Sequence, residues 1–237
     1  MKLKFICTLI TICILFSLSS CGSVGNTFDR YHGYDVRIIK PEGYEVTTVM
    51  LGFTSNDFES MNNYYTNNLY SHVIMKVKTS KKMVYKHRGE PTESEAISKY
   101  TSPYIMLTGA TVTELYHVSD AFEYDIYVGD DVWIANEYVV DDKNKMIFLA
   151  ATPLNDKFSY ETLILPDSEY LLFASREIFR GSHKYNGNLI FSSKPQGTVP
   201  LNYSSWNEYA NIIAANGFPT NIGYSHMWDA AIEKYIK

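Results

Sequence analysis

The chain has 237 residues, a formal net charge of −5 and 46% hydrophobic residues. That is enough for one or two domains with a buried core, and the acidic balance argues against nucleic acid as a partner. Twenty tyrosines and twelve phenylalanines are an aromatic load of the kind that β-rich chains carry.

The first element is a leader over residues 1–20. Lys2 and Lys4 precede an apolar run from Phe5 to Leu18. The run is shorter than the roughly 20 residues of a membrane-spanning helix and ends in small residues, so it reads as a secretory signal. Its last residues, Leu18-Ser19-Ser20-Cys21, resemble the lipobox of bacterial lipoproteins. That resemblance implies cleavage before Cys21, lipid attachment at the Cys21 thiol, and a place on the extracytoplasmic face of the cell membrane. The competing reading is an ordinary signal peptide that carries a cysteine. Cys7 and Cys13 lie inside the leader, so the mature chain would keep Cys21 alone and form no internal disulfide. Two or three acyl chains would anchor it firmly where one would be marginal. Loss of Lys2 and Lys4 takes Lys+Arg from 21 to 19 against 26 acids, a net charge of −7.

Residues 21–33, with Gly22, Ser23, Gly25 and Asn26, read as a flexible tether. Residues 34–70 follow as a strand and helix region. Strands are expected over 34–39 and 44–51 around the turn Pro41-Glu42-Gly43, and a short helix or loop over the Asn-rich stretch 55–70. The β pattern then strengthens over residues 71–203. Val73, Met75 and Val77 alternate with Lys76 and Lys78, in a strand that continues to Tyr85. An excursion with a capping-box pattern, Thr92-Glu93-Ser94-Glu95, interrupts a long hairpin. Further strands are expected at 104–118, 131–140, 145–152, 169–179 and 188–192, with Gly109 as a candidate bulge. After Pro200 the period changes. Ser205-Trp206-Asn207-Glu208 is a second capping-box pattern, with Trp206, Tyr209, Ala210 and Ile213 on one helix face. Ser225 opens a last helix that carries Trp228, Ala231, Ile232 and Tyr235. Residues 204–237 thus read as a helical pair packed on the β region.

Several of these segments together resemble a module of lipoproteins from Gram-positive bacteria. They are the strand Ser71-His72-Val73-Ile74-Met75-Lys76-Val77, the strand Tyr104-Ile105-Met106-Leu107 through Glu114-Leu115-Tyr116, the run Glu169-Tyr170-Leu171-Leu172-Phe173, and Pro195-Gln196-Gly197. The module is similar in pattern to the OB-like barrel of netrin and tissue-metalloprotease-inhibitor domains, and the likeness covers rather over half of the chain. It implies a mainly β fold, an OB-like Greek-key barrel, here with an N-terminal strand region and a C-terminal helical pair. The residues agree independently, since several short strands without disulfides suit an architecture that hides its edges. One departure is visible. The pattern has glycine shortly before the Tyr-Leu-Leu-Phe run, where this chain has Asp167-Ser168. Inhibition of a protease through a free N-terminal cysteine does not carry over, because Cys21 would be lipidated.

Chemistry-bearing motifs are sparse. The six histidines show neither His-x-His nor His-Glu-x-x-His spacing, and no cysteine assists them, so no metal site or cofactor is expected. Lys76, Lys78, Lys81, Lys82, Lys86 and Arg88 form a basic stretch with no acid among them. It is a candidate contact for anionic wall polymer or lipid headgroups, or else a charged edge that discourages strand-to-strand aggregation. From Glu114 to Asp142 the order is reversed, with acids and no Lys or Arg. These acids are solvated turn residues, a cation site that lacks the usual alternating oxygen pattern, or a carboxylate pair for glycoside hydrolysis. Trp133, Trp206 and Trp228 either pack in the core or stack on sugars. The sequence as a whole indicates a lipid-anchored, extracytoplasmic binding or assembly protein of the cell envelope. Its partners would be the membrane, through the anchor, and a wall polymer or envelope protein. The alternative is an envelope hydrolase acting on wall glycans through paired carboxylates.

Overall fold

The computed structural model describes residues 33–39, 57–87, 104–122, 124–136, 138–141, 143–154, 157–160, 163–176, 190–217 and 225–237. The leader, Cys21, the tether, the strand expected at 44–51, the Thr92 capping box and Arg88 lie outside the described residues. Nine strands are described: β1 Asp35–Ile39, β2 His72–His87, β3 Tyr104–Val118, β4 Asp131–Asn136, β5 Tyr138–Asp141, β6 Met146–Leu154, β7 Lys157–Tyr160, β8 Glu169–Arg176 and β9 Ile190–Pro200. Three helices join them: α1 Phe58–Tyr65, α2 Trp206–Ala215 and α3 Ser225–Tyr235. The fold is mainly β.

Five strands pair in the cyclic order β2-β3-β4-β9-β8. β2 lies antiparallel between β3 and β8, β4 pairs antiparallel with β3 and parallel with β9, and β8 pairs antiparallel with β9. A second sheet carries β1-β6-β5, with β7 paired to β6. β1 runs parallel to β6, so the N-terminal region is hydrogen-bonded into the middle of the chain. The single strand expected over 131–140 is two strands, one in each sheet, and β7 is a strand that the sequence reading lacked.

The side-chain alternation of β8 explains the layering. Tyr170, Leu172 and Ala174 point inward with Val73, Met75 and Val77 of β2 and with Val112, Val132 and Ile134. Leu171 and Phe173 point outward into a second cluster with Ile74 and the helices. A strand buried on both faces needs a continuous apolar run, which Tyr170-Leu171-Leu172-Phe173-Ala174 supplies. Phe173 receives three rings edge-on, Phe58, Tyr65 and Tyr235, at centroid distances of 6.1, 5.9 and 5.6 Å. Trp206, Tyr209 and Ile213 of α2 and Met227, Trp228 and Ala231 of α3 complete this outer cluster. The Trp228 indole N–H donates to the Pro200 carbonyl at 3.0 Å, which ties α3 to the end of β9. Ser205 caps α2, its hydroxyl accepting from the Glu208 N–H at 3.2 Å. The return half of the expected box is shifted by one residue, because the Glu208 carboxylate takes the N–H and O–H of Ser204 at 2.7 and 2.6 Å.

Between the two clusters runs a buried stretch with no strand partner, Leu163-Ile164-Leu165-Pro166. Buried backbone groups must be paired, and here side chains do it. The Tyr138 hydroxyl donates to the Ile164 carbonyl at 3.0 Å and accepts from the Ile164 N–H at 3.1 Å. The Tyr170 hydroxyl donates to the Leu163 carbonyl at 3.2 Å and accepts from the Leu165 N–H at 2.8 Å. The Thr79 hydroxyl donates to the Leu165 carbonyl and accepts from the Ser168 N–H at 2.9 Å. Asp167 then turns the chain into β8 with φ +53°. That is the left-handed conformation glycine adopts most readily.

Gly109 marks an irregularity, as expected, but the extra residues are on its partner strand. Thr79 faces Ala110 and Met83 faces Thr108, so Ser80, Lys81 and Lys82 oppose Gly109 alone. A Cβ at Gly109 would stand 3.0 Å from the Ser80 hydroxyl, whose bond to the Gly109 carbonyl holds the bulge.

Two substitutions test this account. Tyr138→Phe strands the Ile164 N–H and carbonyl in the core, and denaturant unfolding is expected to show a loss of about 1–3 kcal/mol. The exposed Tyr127→Phe is the control, with a change within about 0.5 kcal/mol. Trp206→Ala, which empties a packed site between α2 and the sheet, is expected to cost about 3–5 kcal/mol in the same measurement.

Candidate functional site

The described members of the basic stretch take different partners. Lys76 lies between two carboxylates, with its ammonium 3.4 Å from Glu114 and 3.5 Å from Glu169. Lys78 is exposed. Lys81 and Lys82 ride on the bulge opposite Gly109, so the alternation expected of a plain hairpin is broken there. Lys81 sits 3.5 Å from Asp167, with both side chains largely exposed, a pair worth little in water. The Lys82 ammonium lies 4.8 Å from the centre of the Trp133 ring. Lys86 is in β2 opposite Ile105. Among the described residues, Lys76, Lys78, Lys81 and Lys82 therefore stand at successive places along β2.

The described acids build local structure. The Glu114 carboxylate accepts from the Tyr116 hydroxyl at 2.7 Å, and this bond, with Lys76 beside it, holds Glu114 below the usual carboxylate range. A general acid for glycoside hydrolysis needs the opposite shift. Asp120 accepts from the Asn68 amide at 2.8 Å, Asp130 from the Tyr127 N–H at 2.8 Å and Asp131 from the Thr111 hydroxyl at 2.9 Å. Asp141 accepts from the N–H groups of Lys143 and Asn144 at 3.1 and 3.0 Å, closing the β5–β6 turn. Among the described residues, no group of three or more His, Cys, Asp and Glu side chains could hold a metal ion. Among the same residues, no helix is long and apolar enough to cross a membrane.

All three tryptophans are buried, so none offers a ring face for stacking. The exposed large apolar side chains are elsewhere. Among the described residues, Leu69, Tyr70, Val118, Tyr124, Tyr127 and Val128 are on the segments that lead into β2 and out of β3, and Ile236 follows α3. The segment before β2 and the start of the β3–β4 loop meet at one end of the five-strand circuit, while the later part of that loop, at Gly129 and Asp130, bonds Val112 further back along β3. The Ser119 hydroxyl donates to the Tyr70 carbonyl at 2.5 Å, Asn68 bonds Asp120, and the Arg176 N–H donates to the Ser71 carbonyl at 3.2 Å. Phe122 and Ile126, from the same β3–β4 loop, turn inward into the core of the circuit. The sequence carried only a weak sign of this end, the Asn-rich turn before β2 and tyrosines set among acids.

Beneath this end lies His72. Its ring is buried against Tyr64, Tyr65 and Tyr70 at centroid distances of 4.7, 4.9 and 5.5 Å, and Nδ1 donates to the Tyr64 carbonyl at 3.0 Å. Burial holds the His72 pKa below its ordinary value, the Tyr64 carbonyl opposes that shift, and a charge on His117 adds to it.

Comparison with family models, with curated proteins and with solved structures finds no match.

The His72 environment predicts a pH dependence. With the folded pKa below the unfolded value of about 6.5, the stability from neutral His72 is complete above that pH. It falls as pH drops toward the folded pKa, because the unfolded chain then binds more protons. Thermal unfolding between pH 7.5 and 5 is expected to show a falling midpoint, and His72→Gln is expected to flatten that slope. An equal slope in the variant would assign the effect to another group.

Proposed function

We propose that this chain is a lipid-anchored, extracytoplasmic binding or assembly protein of the bacterial envelope, acylated at Cys21, and that its five-strand circuit is an OB-like Greek-key barrel. Strand order supports the barrel reading. β2, β3 and β4 are consecutive neighbours, β8 returns to lie beside β2, and β9 fills the place between β8 and β4. That order is in keeping with the return connection of a Greek key. The anchor reading rests on the leader and on Leu18-Ser19-Ser20-Cys21.

The observation that carries the binding reading is the contrast between interior and loop end. The circuit is filled by Val73, Met75, Val77, Ile134, Tyr170 and Leu172, none more than 2% exposed, so a ligand is met at the outer surface. At the loop end, apolar and aromatic side chains that could have been buried are instead presented to solvent, a mark of contact surfaces.

Cell fractionation of Cys21→Ala tests the anchor. The variant is expected to leave the membrane fraction or to keep its leader unprocessed, with intact mass separating the two cases. A variant that stays in the membrane with its leader removed would overturn the lipid assignment.

A further inference from the structure

We propose that the loop end of the circuit is a glycan-contact face, with Tyr70 and Tyr124 as its stacking platforms. This rests on the binding reading above and names its ligand class, a neutral polysaccharide strand. Each ring has one face held by the protein and is about half exposed. Tyr70 is 51% exposed and stacks at 5.8 Å and 28° on Tyr64. Tyr64 stands edge-on to Tyr65, and Tyr65 edge-on to Phe173. A chain of rings thus runs from the core to the platform. Tyr124 is 47% exposed, with the Arg176 guanidinium 3.6 Å from its ring centre. The two supports are joined, because the Arg176 N–H bonds the Ser71 carbonyl next to Tyr70. Rings fixed before binding lose little freedom on contact, which favours affinity.

The groups beside the platforms suit sugars. The C–H face of a pyranose packs on an aromatic ring, while its hydroxyls donate to carboxylates and exchange hydrogen bonds with amides. Asp120, Asp125, Asn67 and Asn68 stand on the same two segments, and Leu69, 80% exposed, extends the apolar surface next to Tyr70. Among the described residues of segments 67–71 and 119–130 there are three acids, Asp120, Asp125 and Asp130, against the one guanidinium of Arg176 that packs on Tyr124, so the balance of charge at this end is negative. That charge disfavours phosphate-rich polymers, anionic lipid and nucleic acid. A partner protein would anchor through side chains sunk in pockets, whereas this end presents flat ring faces beside acceptors.

The test uses the full chain in a polyoxyethylene detergent, which has no sugar headgroup. It is titrated calorimetrically with a hexamer of β-1,4-linked N-acetylglucosamine. Parallel titrations use a lysine-rich peptide and vesicles of anionic lipid. The hexamer is expected to bind with little salt dependence. Tyr70→Ala and Tyr124→Ala are each expected to weaken it about tenfold, the scale of one lost aromatic contact. Tyr70→Phe and Tyr124→Phe keep the ring and are expected to bind as the parent does, which separates lost stacking from lost folding. Hexamer binding that the Ala variants leave unchanged overturns the proposal. Binding of the peptide or the vesicles in place of the hexamer, lost in the same variants, also overturns the glycan assignment while leaving the binding reading intact. Failure to bind any of the three overturns both.

Discussion

The rest of this structure depends on how Leu163-Ile164-Leu165-Pro166 is held. The stretch passes between the inner cluster of the five-strand circuit and the outer cluster under the helices, with Ile164 in the first and Leu163 and Leu165 in the second. A run without strand partners in that position would leave N–H and C=O groups stranded in a low-dielectric interior, at a cost of several kcal/mol. Two tyrosine hydroxyls and one threonine remove that cost by acting as both donor and acceptor to the backbone. Tyr138 comes from the second sheet, Tyr170 from β8 and Thr79 from β2. One short connection therefore fixes the second sheet and the circuit against each other.

From that junction the aromatic load has a physical use. Phe173 is the point where α1, α3 and β8 meet, through edge-on contacts with Phe58, Tyr65 and Tyr235. The Tyr235 hydroxyl also bonds the Asn62 side chain, so the first and last described helices are tied across 173 residues of chain. Large rings bury much area with few rotatable bonds, which suits a chain whose mature form would have no disulfide. The same series of rings continues outward through Tyr65 and Tyr64 to Tyr70. The rigidity of the core therefore reaches the exposed face at the start of β2. Charge is distributed along the same hairpin. Acids without Lys or Arg occupy the described loops at the start of β2, and Lys81 and Lys82 occupy the bulge further along it.

Much of the fold was legible because it is local. The strand over 104–118 and the helices from Trp206 and Ser225 follow from alternation, from helical spacing and from a capping serine. The inward and outward sets of β8 follow from an unbroken apolar run. The leader and Cys21 are readings of sequence alone. What failed to show were the features that depend on two distant segments. The 131–140 stretch has one continuous pattern, yet its described residues divide between two sheets, Asp131–Asn136 in one and Tyr138–Asp141 in the other, because Trp133 and Ala135 pack with Leu107 while Tyr138 turns to Ile164. The basic stretch is continuous in sequence. Its bulge opposite Gly109 arises only when β2 meets β3, and its partners Glu114, Asp167 and Trp133 come from other strands and turns.

The candidate site divides in the same way. Sequence alone determined the residue types, a chain rich in tyrosine and acids with no motif for metal or covalent chemistry. Tertiary structure decided which of those residues face solvent. The tryptophans, open to a stacking role by composition, are covered by helices and by Lys82, since their large apolar area is worth most when removed from water. Tyr70 and Tyr124 are held outward because Tyr64 and Arg176 occupy their inner faces, and those supports are distant in sequence or set by a fold-specific turn. Side-chain identity is written in the chain, but exposure is a property of what packs against it, and that is settled only when β2, β3 and β8 come together.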